Sequence, residues 1–335
     1  DPDGSISIIK VSDYSVRTIN FSAFEAQLST LATKGFRIYG IGKNFTKDIE
    51  PEYITISDDS KTAWVTLQEN NAIAEVDIIG GTVKKIMPLG FKNYGTAGNE
   101  IDPSDRDSKI EFSALYNKVF GMYLPDAISQ YTYNGIPYLF TANEGDSREY
   151  AGFNEMRRVG SSSHILDPTA FPNAATLKTD AQLGRLNATT TLGDTDGDGD
   201  FDAIYSLGSR SFSVWNAVTG EQVYDSKNEL DRKALELQVY DDGRSDDKAV
   251  EPEAITIGRV GSKQIAIVGL ERADAFAIYD ITNPASPQFI KMYKTGDAPE
   301  GVLFIPASKS PIQQSLIVVS SENDGVIKIY KANKI

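Results

Sequence analysis

The chain has no cysteine and a single histidine among 335 residues. Without cysteine there are no disulfides, no thiolate nucleophile and no cysteine-based zinc site. With one histidine there is no histidine-centred triad and no multi-histidine metal centre, since each needs an imidazole held by partners or several together. His164, in the serine-rich GSSSHILDP, reads as a surface residue. No apolar run approaches the ~18–20 residues of a helical membrane span. Positive charge is scarce: 33 Lys and Arg face 47 Asp and Glu, a formal net charge of −14. That balance argues against nucleic acid or an anionic membrane as partner, because both would be repelled. The opening DPDGSISIIK has neither a basic n-region nor an apolar h-region, so any signal peptide is expected to be already removed. The chemistry left to such a chain uses carboxylates, Arg and Lys, Tyr, Ser, Thr and bound metal. Cysteine avoidance, acidity and Asp-rich loops suit a secreted or cell-surface protein in a calcium-containing medium.

What is present is a succession of short strand-like runs, among them YITIS, KTAWVTL, AIAEVDI, PYLFTA, AITIG, QIAIVGL, SLIVVS and VIKIYK. They are β-branched and aromatic, and Gly, Asp, Asn and Pro turns bound them, which marks an all-β chain. Helical spacing is local, in FSAFEAQLSTLATKGF, where Gly35 stops the run. One plan recurs from Pro51, Pro125, Pro252 and Pro299: proline and an acid, a first strand, a turn, a second strand ending at glutamate, and usually an I-x-I-Y-type third strand. The segment from Phe201 reads as a degenerate fifth copy. Units of three or four short strands at ~40–50 residues predict a β-propeller of about six or seven blades. Residues 1–50 are expected to hold a partial blade and a helical insertion, and 51–335 the repeated blades, all in one propeller domain.

The register of the acids is the most informative feature. Glu52 with Glu69, Asp126 with Glu144, Glu253 with Glu271 and Glu300 with Glu322 stand before the first strand and at the end of the second. In a propeller those two points share one rim, so eight acids would ring one mouth of the channel. Buried unpaired charges cost several kcal/mol each, so such a ring is expected to hold cations or basic side chains. The plainer alternative is that each acid caps a turn by accepting backbone N–H bonds. Arg148 and Arg272 lie close to this register, and two mixed-charge loops, DPSDRD with Arg106 and DDGRSDDK with Arg244, precede blades.

A second acidic feature is DTDGDGDFD. Asp194, Asp196 and Asp198 fall at positions one, three and five of a calcium loop, Gly199 at six, Asp200 at seven and Asp202 at nine. Tyr205 stands where an EF-hand places its bidentate Glu. This predicts a calcium loop outside an EF-hand, closed by Asp202 or by a ligand from elsewhere, and joining two blades as a metal staple.

The long motifs IEPEYITISDDSKTAWVTLQENNAIAEVDI, DPSDRD, LPDAISQYTYNGIPYLFTANEGDSREY, LGDTDGDGDFDAIYSLGSRSFSVWNA, RSDDKAVEPEAITIG and GLERADAFAIYDITNPASP resemble the choice-of-anchor I domain family over nearly the whole chain. The resemblance implies an exported, surface-anchored β-propeller with calcium sites. Members are often labelled alkaline phosphatase-like or phytase-like. The family pattern carries further repeats upstream of DPDGSISIIK. Either the first strands here complete the blade made by VIKIYK, or an upstream fragment is missing or separate.

Two functions stay open. One is a calcium-binding extracellular scaffold whose acidic face docks a calcium-bearing polymer, a mineral or a surface protein. The other is a calcium-dependent phosphoesterase acting on a phosphate ester, with additional divalent metals at the channel mouth. There Glu69, Glu144, Glu253, Glu271 and Glu322 would be metal or base residues, and Arg106, Arg148, Arg244 and Arg272 would hold the phosphate.

Overall fold

The computed structural model describes residues 3–40, 42, 44–150 and 152–332. Four antiparallel meander sheets carry the architecture, a β-propeller arrangement. The first blade is Pro51–Ile56, Thr62–Leu67, Ala72–Asp77 and Thr82–Pro88. Its middle strands are buried on both faces because alternate residues point to opposite sides. Val65 and Ala74 pack with Phe21, Phe36 and Ile49 of the preceding segment. Trp64 and Ile73 pack with Leu139 and Trp215 of the second blade.

The second blade contains Ile128–Tyr133, Ile136–Asn143, Ser211–Asn216 and Gln222–Asp225. The third contains Pro252–Val260, Lys263–Leu270, Ala275–Asp280 and Gln288–Lys294. The fourth is three-stranded: Pro299–Ile305, Leu316–Ser321 and Val326–Lys331. The innermost strands of successive blades are neighbours, from the first blade to the second, third and fourth. The described residues thus build four blades of an arc, where six or seven were expected.

The fifth repeat is corrected. Ser211–Asn216 pairs with Ile136–Asn143, Asn143 opposite Ser211, and so is the third strand of the second blade. Residues 144–210 form an excursion from that blade. Ile204–Ser206 joins an accessory five-stranded sheet with Met156–Arg158, Asn187–Thr189, Val119–Met122 and Phe91–Asn93. The excursion leaves and returns at one point because Gly145 (φ +104°) and Gly208 (φ +67°) meet back to back. A Cβ on Gly145 would lie 2.3 Å from the Gly208 Cα, a contact that only two glycines permit.

The first strands also differ from one expectation. Ser5–Lys10 pairs with Ser15–Asn20 as a separate two-stranded sheet, so it does not complete the blade of Val326–Lys331. The helical stretch is a 3-10 turn, Ser22–Gln27, followed by Leu28–Ala32. Together with the hairpin it covers the outer face of the first blade. No helix among the described residues is long and apolar enough to cross a membrane.

Candidate functional site

The repeated proline-acid step has a structural counterpart. The first strand of three blades breaks register at its start, between Pro51 and Ile54, Pro252 and Ile255, and Pro299 and Gly301. Each irregularity brackets the acid, Glu52, Glu253 or Glu300. Bulges of this kind re-aim a side chain. Leu124, Glu251 and Ala298, the residues before three of the four prolines, have φ of 42°, 48° and 53°. Left-handed backbone at such residues costs ~1–3 kcal/mol each and tends to gather at functional sites.

Five of the eight expected rim acids come together, and Glu52, Glu69 and Asp126 stand outside their groups. Carboxylate oxygens of Glu144, Glu253 and Glu271 lie within 4.8 Å of one another, and so do those of Glu271, Glu300 and Glu322. Glu271 belongs to both groups. A cavity of about 360 Å³ runs beside them, lined by Tyr53, Asp126, Glu253, Ile255, Glu300 and Val302. Burial, then the charges of Glu144, Glu52 and Glu300, push Asp126 up to about 7. Burial pushes Glu271 up to about 7 against the pull of Arg272. Burial and the Glu144 and Asp126 charges hold Glu253 well above the carboxylate range. Glu69, 7 % exposed, is pushed up to about 8 by burial, with the Glu52 and Asp146 charges adding to it. Its Oε2 has no hydrogen-bond partner among the described residues. Glu52 and Glu300 are raised too, each chiefly by desolvation.

One cation that answers this ring is Lys248, at the end of the mixed-charge loop DDGRSDDK. Its Nζ lies 2.7 Å from Glu144, 3.2 Å from Glu251 and 3.9 Å from Asp146. Burial alone would depress it, but Glu144 and Glu251 outweigh burial and keep the ammonium charged. Gln68 also donates to Glu144, at 2.8 Å. Glu251, fully buried, collects Lys248, Arg244 and Arg272; sequence spacing gave no sign of it beyond its place before Pro252.

The four arginines separate. Arg272 sits beside the rim, 3.0 Å from Glu271. Arg244 is tied to Glu251 and Asp247. Arg148 is buried, paired with Glu50 and Asp48, and stacked 4.8 Å from the Tyr39 ring. Arg106 is exposed and pairs at 3.9 Å with Asp105 and Asp180, neither of them a rim acid.

The aspartate loop folds around its own side chains. Asp194 accepts from the N–H of Gly197 (2.7 Å) and Gly199 (3.1 Å), and Gly199 has φ +99°. Oxygens of Asp194, Asp196 and Asp202 lie within 4.8 Å, as do those of Asp167, Asp200 and Asp202. Asp202 is common to both groups, and Asp198 belongs to neither. Asp167 was missed in the sequence because it lies 33 positions before Asp200; the parallel bridge of Leu166 to Phe201 brings it there. The donors are all hard carboxylate oxygens, which suits calcium. Loss of water and the charges of Asp198, Asp167 and Asp202 raise Asp200. Thr195 holds Asp202 low by hydrogen bonds. The loop lies inside the excursion of the second blade, so it does not join two blades as expected.

His164 is also corrected. It is fully buried, stacked 4.2 Å from Phe201, and burial depresses it to about 4.

The comparison that decides the family spans most of the chain: residues 1–284 match the choice-of-anchor I domain. The chain belongs to that family. Among curated relatives of this choice-of-anchor I chain, Gigasin-3a of Magallana gigas is 29% identical over 185 residues, 45% of this chain and 65% of that protein. The mesenchyme-specific cell surface glycoprotein of Strongylocentrotus purpuratus is 26% identical over 84% of this chain and 42% of its own length. The chain thus spans less than two thirds of either relative. Solved structures similar to it include the Cps50 (Swd1) β-propeller domain of Myceliophteria thermophila, with TM-score 0.34, 11% identity and coverage of 98% of this chain and 77% of that one. Another is virginiamycin B lyase of Staphylococcus aureus, with TM-score 0.30, 12% identity and coverage of 85% and 71%.

Proposed function

We propose that the chain is a calcium-binding propeller module of an extracellular or cell-surface protein, acting as a scaffold or interaction domain. The carrying observation is the loop in which Asp194, Asp196 and Asp202, with Asp167 and Asp200 adjoining, converge their oxygens. Several carboxylates so close repel one another unless a cation neutralises them. Calcium there would fasten the loop to Asp167 and so stiffen the excursion rather than take part in chemistry. The family membership and the cell-surface relative support the location.

A metal-dependent phosphoesterase is the second reading, favoured by the two rim groups that share Glu271 and by Arg272 beside them. It is weakened by Arg148 and Arg244, whose charges are engaged by carboxylates, and by Lys248 at Glu144. Hydrolysis of a phosphomonoester and of phytate, with calcium and with chelator, separates the two. The scaffold reading expects a calcium-dependent thermal midpoint without turnover. Calcium-dependent turnover lost in Glu271→Gln would replace it.

A further inference from the structure

A cavity of about 550 Å³ opens between the first two blades, at the strand ends opposite those that carry the rim acids. Thr62, Trp64 and Glu75 line it from the first blade, Pro137 from the hairpin of the second, and Val218 from the turn after Ser211–Asn216. Its volume lies in the range of ~300–1,000 Å³ usual for small-molecule sites. Trp64 and Glu75 are direct partners across the second and third strands of their blade, so their side chains share one face of the sheet. That face meets Leu139 and Trp215 of the second blade.

Two groups in these walls lack a partner. Trp64 is 4% exposed, and its Nε1 has no hydrogen-bond partner among the described residues. Trp215, in the same apolar layer, donates its Nε1–H to Thr141 at 3.0 Å, so the unanswered donor is particular to the indole that borders the cavity. A buried donor left unpaired costs about 1–3 kcal/mol. Glu75 is the second group, with no hydrogen bond or ion pair among the described residues. Lys85, opposite it on the next strand, gives its ammonium instead to the Val218 carbonyl, at 3.1 Å. The other acids of the cavity are engaged, Asp58 by Gln130 and Asp59 by Ser57 and Lys61.

The chemistry of the walls narrows the ligand. Asp58, Asp59 and Glu75, with no Lys or Arg in the lining, repel an anion. Among the described residues they belong to none of the groups of three acids whose oxygens lie within 4.8 Å, the convergence that a hard cation needs. An ammonium would answer Glu75 but offers no acceptor to the indole N–H. A hydroxyl does both, donating to a carboxylate and accepting from an N–H. We propose that this cavity is a binding site for a neutral saccharide. Its hydroxyls would donate to Glu75 and accept from Trp64 Nε1, while Pro137, Ala217 and Val218 cover the apolar face of the sugar ring. The site is separate from the aspartate loop and from the rim, and it needs no metal.

The test is calorimetric titration of the whole chain with cellobiose, maltose, lactose and N,N′-diacetylchitobiose, each with calcium and with chelator. The expected result is saturable binding of at least one of these sugars, equal in the two conditions. Glu75→Gln should weaken it at least about tenfold, through loss of a hydrogen bond to a charged acceptor. Trp64→Phe, which keeps a ring without the N–H, should weaken it too, and Asp202→Asn should leave it unchanged. Thermal midpoints show that the variants are folded, and if Trp64→Phe is not, Glu75→Gln decides alone. No saturable binding of any of the sugars overturns the proposal. So does binding that Glu75→Gln leaves intact, or binding lost with chelator, which would put the sugar on a metal. Tighter binding of N-acetyl-lysine amide than of every sugar also overturns it, since the cavity would then take a basic side chain.

Discussion

Glu69→Gln is the most exacting perturbation of the rim. Glu69 lies two residues beyond the second strand of the first blade, is almost wholly buried, and leaves Oε2 without a hydrogen-bond partner among the described residues. In the unfolded chain the carboxyl ionises near 4.5, and in the fold burial delays this to about 8. Between those values the folded state holds a proton that the unfolded state has lost, so stability falls as pH rises through this window. The rise from 4.5 to about 8, at about 1.4 kcal/mol per pH unit, is worth at most about 5 kcal/mol. Relaxation of the rim and entry of water reduce this to about 2–3 kcal/mol. Glutamine has nearly the same shape and no ionisation. Glu69→Gln should therefore match the parent at pH 5 and exceed its thermal midpoint by about 3–4 °C at pH 9, measured with chelator present. Equal destabilisation at both pH values would refute the reasoning and make Glu69 an acceptor the fold needs in its charged form.

Two other outcomes follow from the same geometry. Lys248→Met removes the ammonium between Glu144 and Glu251 and should cost about 3–5 kcal/mol at neutral pH, read by denaturant unfolding at pH 7. Gly145→Ala forces a Cβ against Gly208 at a φ of +104° and should cost about 2–4 kcal/mol. Gly135→Ala, also at positive φ but with open space around its Cβ, is the control and should cost less in the same unfolding assay.

The propeller class was legible because period-two strands and the proline-acid step are local signals. The convergence of Glu144, Glu253, Glu271, Glu300 and Glu322 was legible for the same reason, a fixed offset from strands whose pairing is local, while Glu52, Glu69 and Asp126 fall outside both groups. What the sequence hid is non-local. Ser211–Asn216 returns to its blade after 67 intervening residues, those of 144–210, and nothing in SFSVWN says which strand it will join. Lys248 reaches Glu144 and Asp167 reaches Asp200 and Asp202 by tertiary pairing, not by spacing. Arg148 stood near the register, yet Glu50 and Asp48 from before the first blade claim its charge. His164 looked exposed because its neighbours are serines, but the ring that covers it, Phe201, belongs to a different part of the excursion.

Calorimetric titration of calcium into the metal-free chain, beside Asp202→Asn and Glu271→Gln, tests the central claim most directly. The account expects saturable binding in the range of about 10⁻⁴–10⁻³ M typical of extracellular modules. It should disappear in Asp202→Asn, which removes the carboxylate common to both loop groups, and persist in Glu271→Gln. Absence of saturable binding in the parent chain, or binding that Asp202→Asn leaves unchanged, would contradict it.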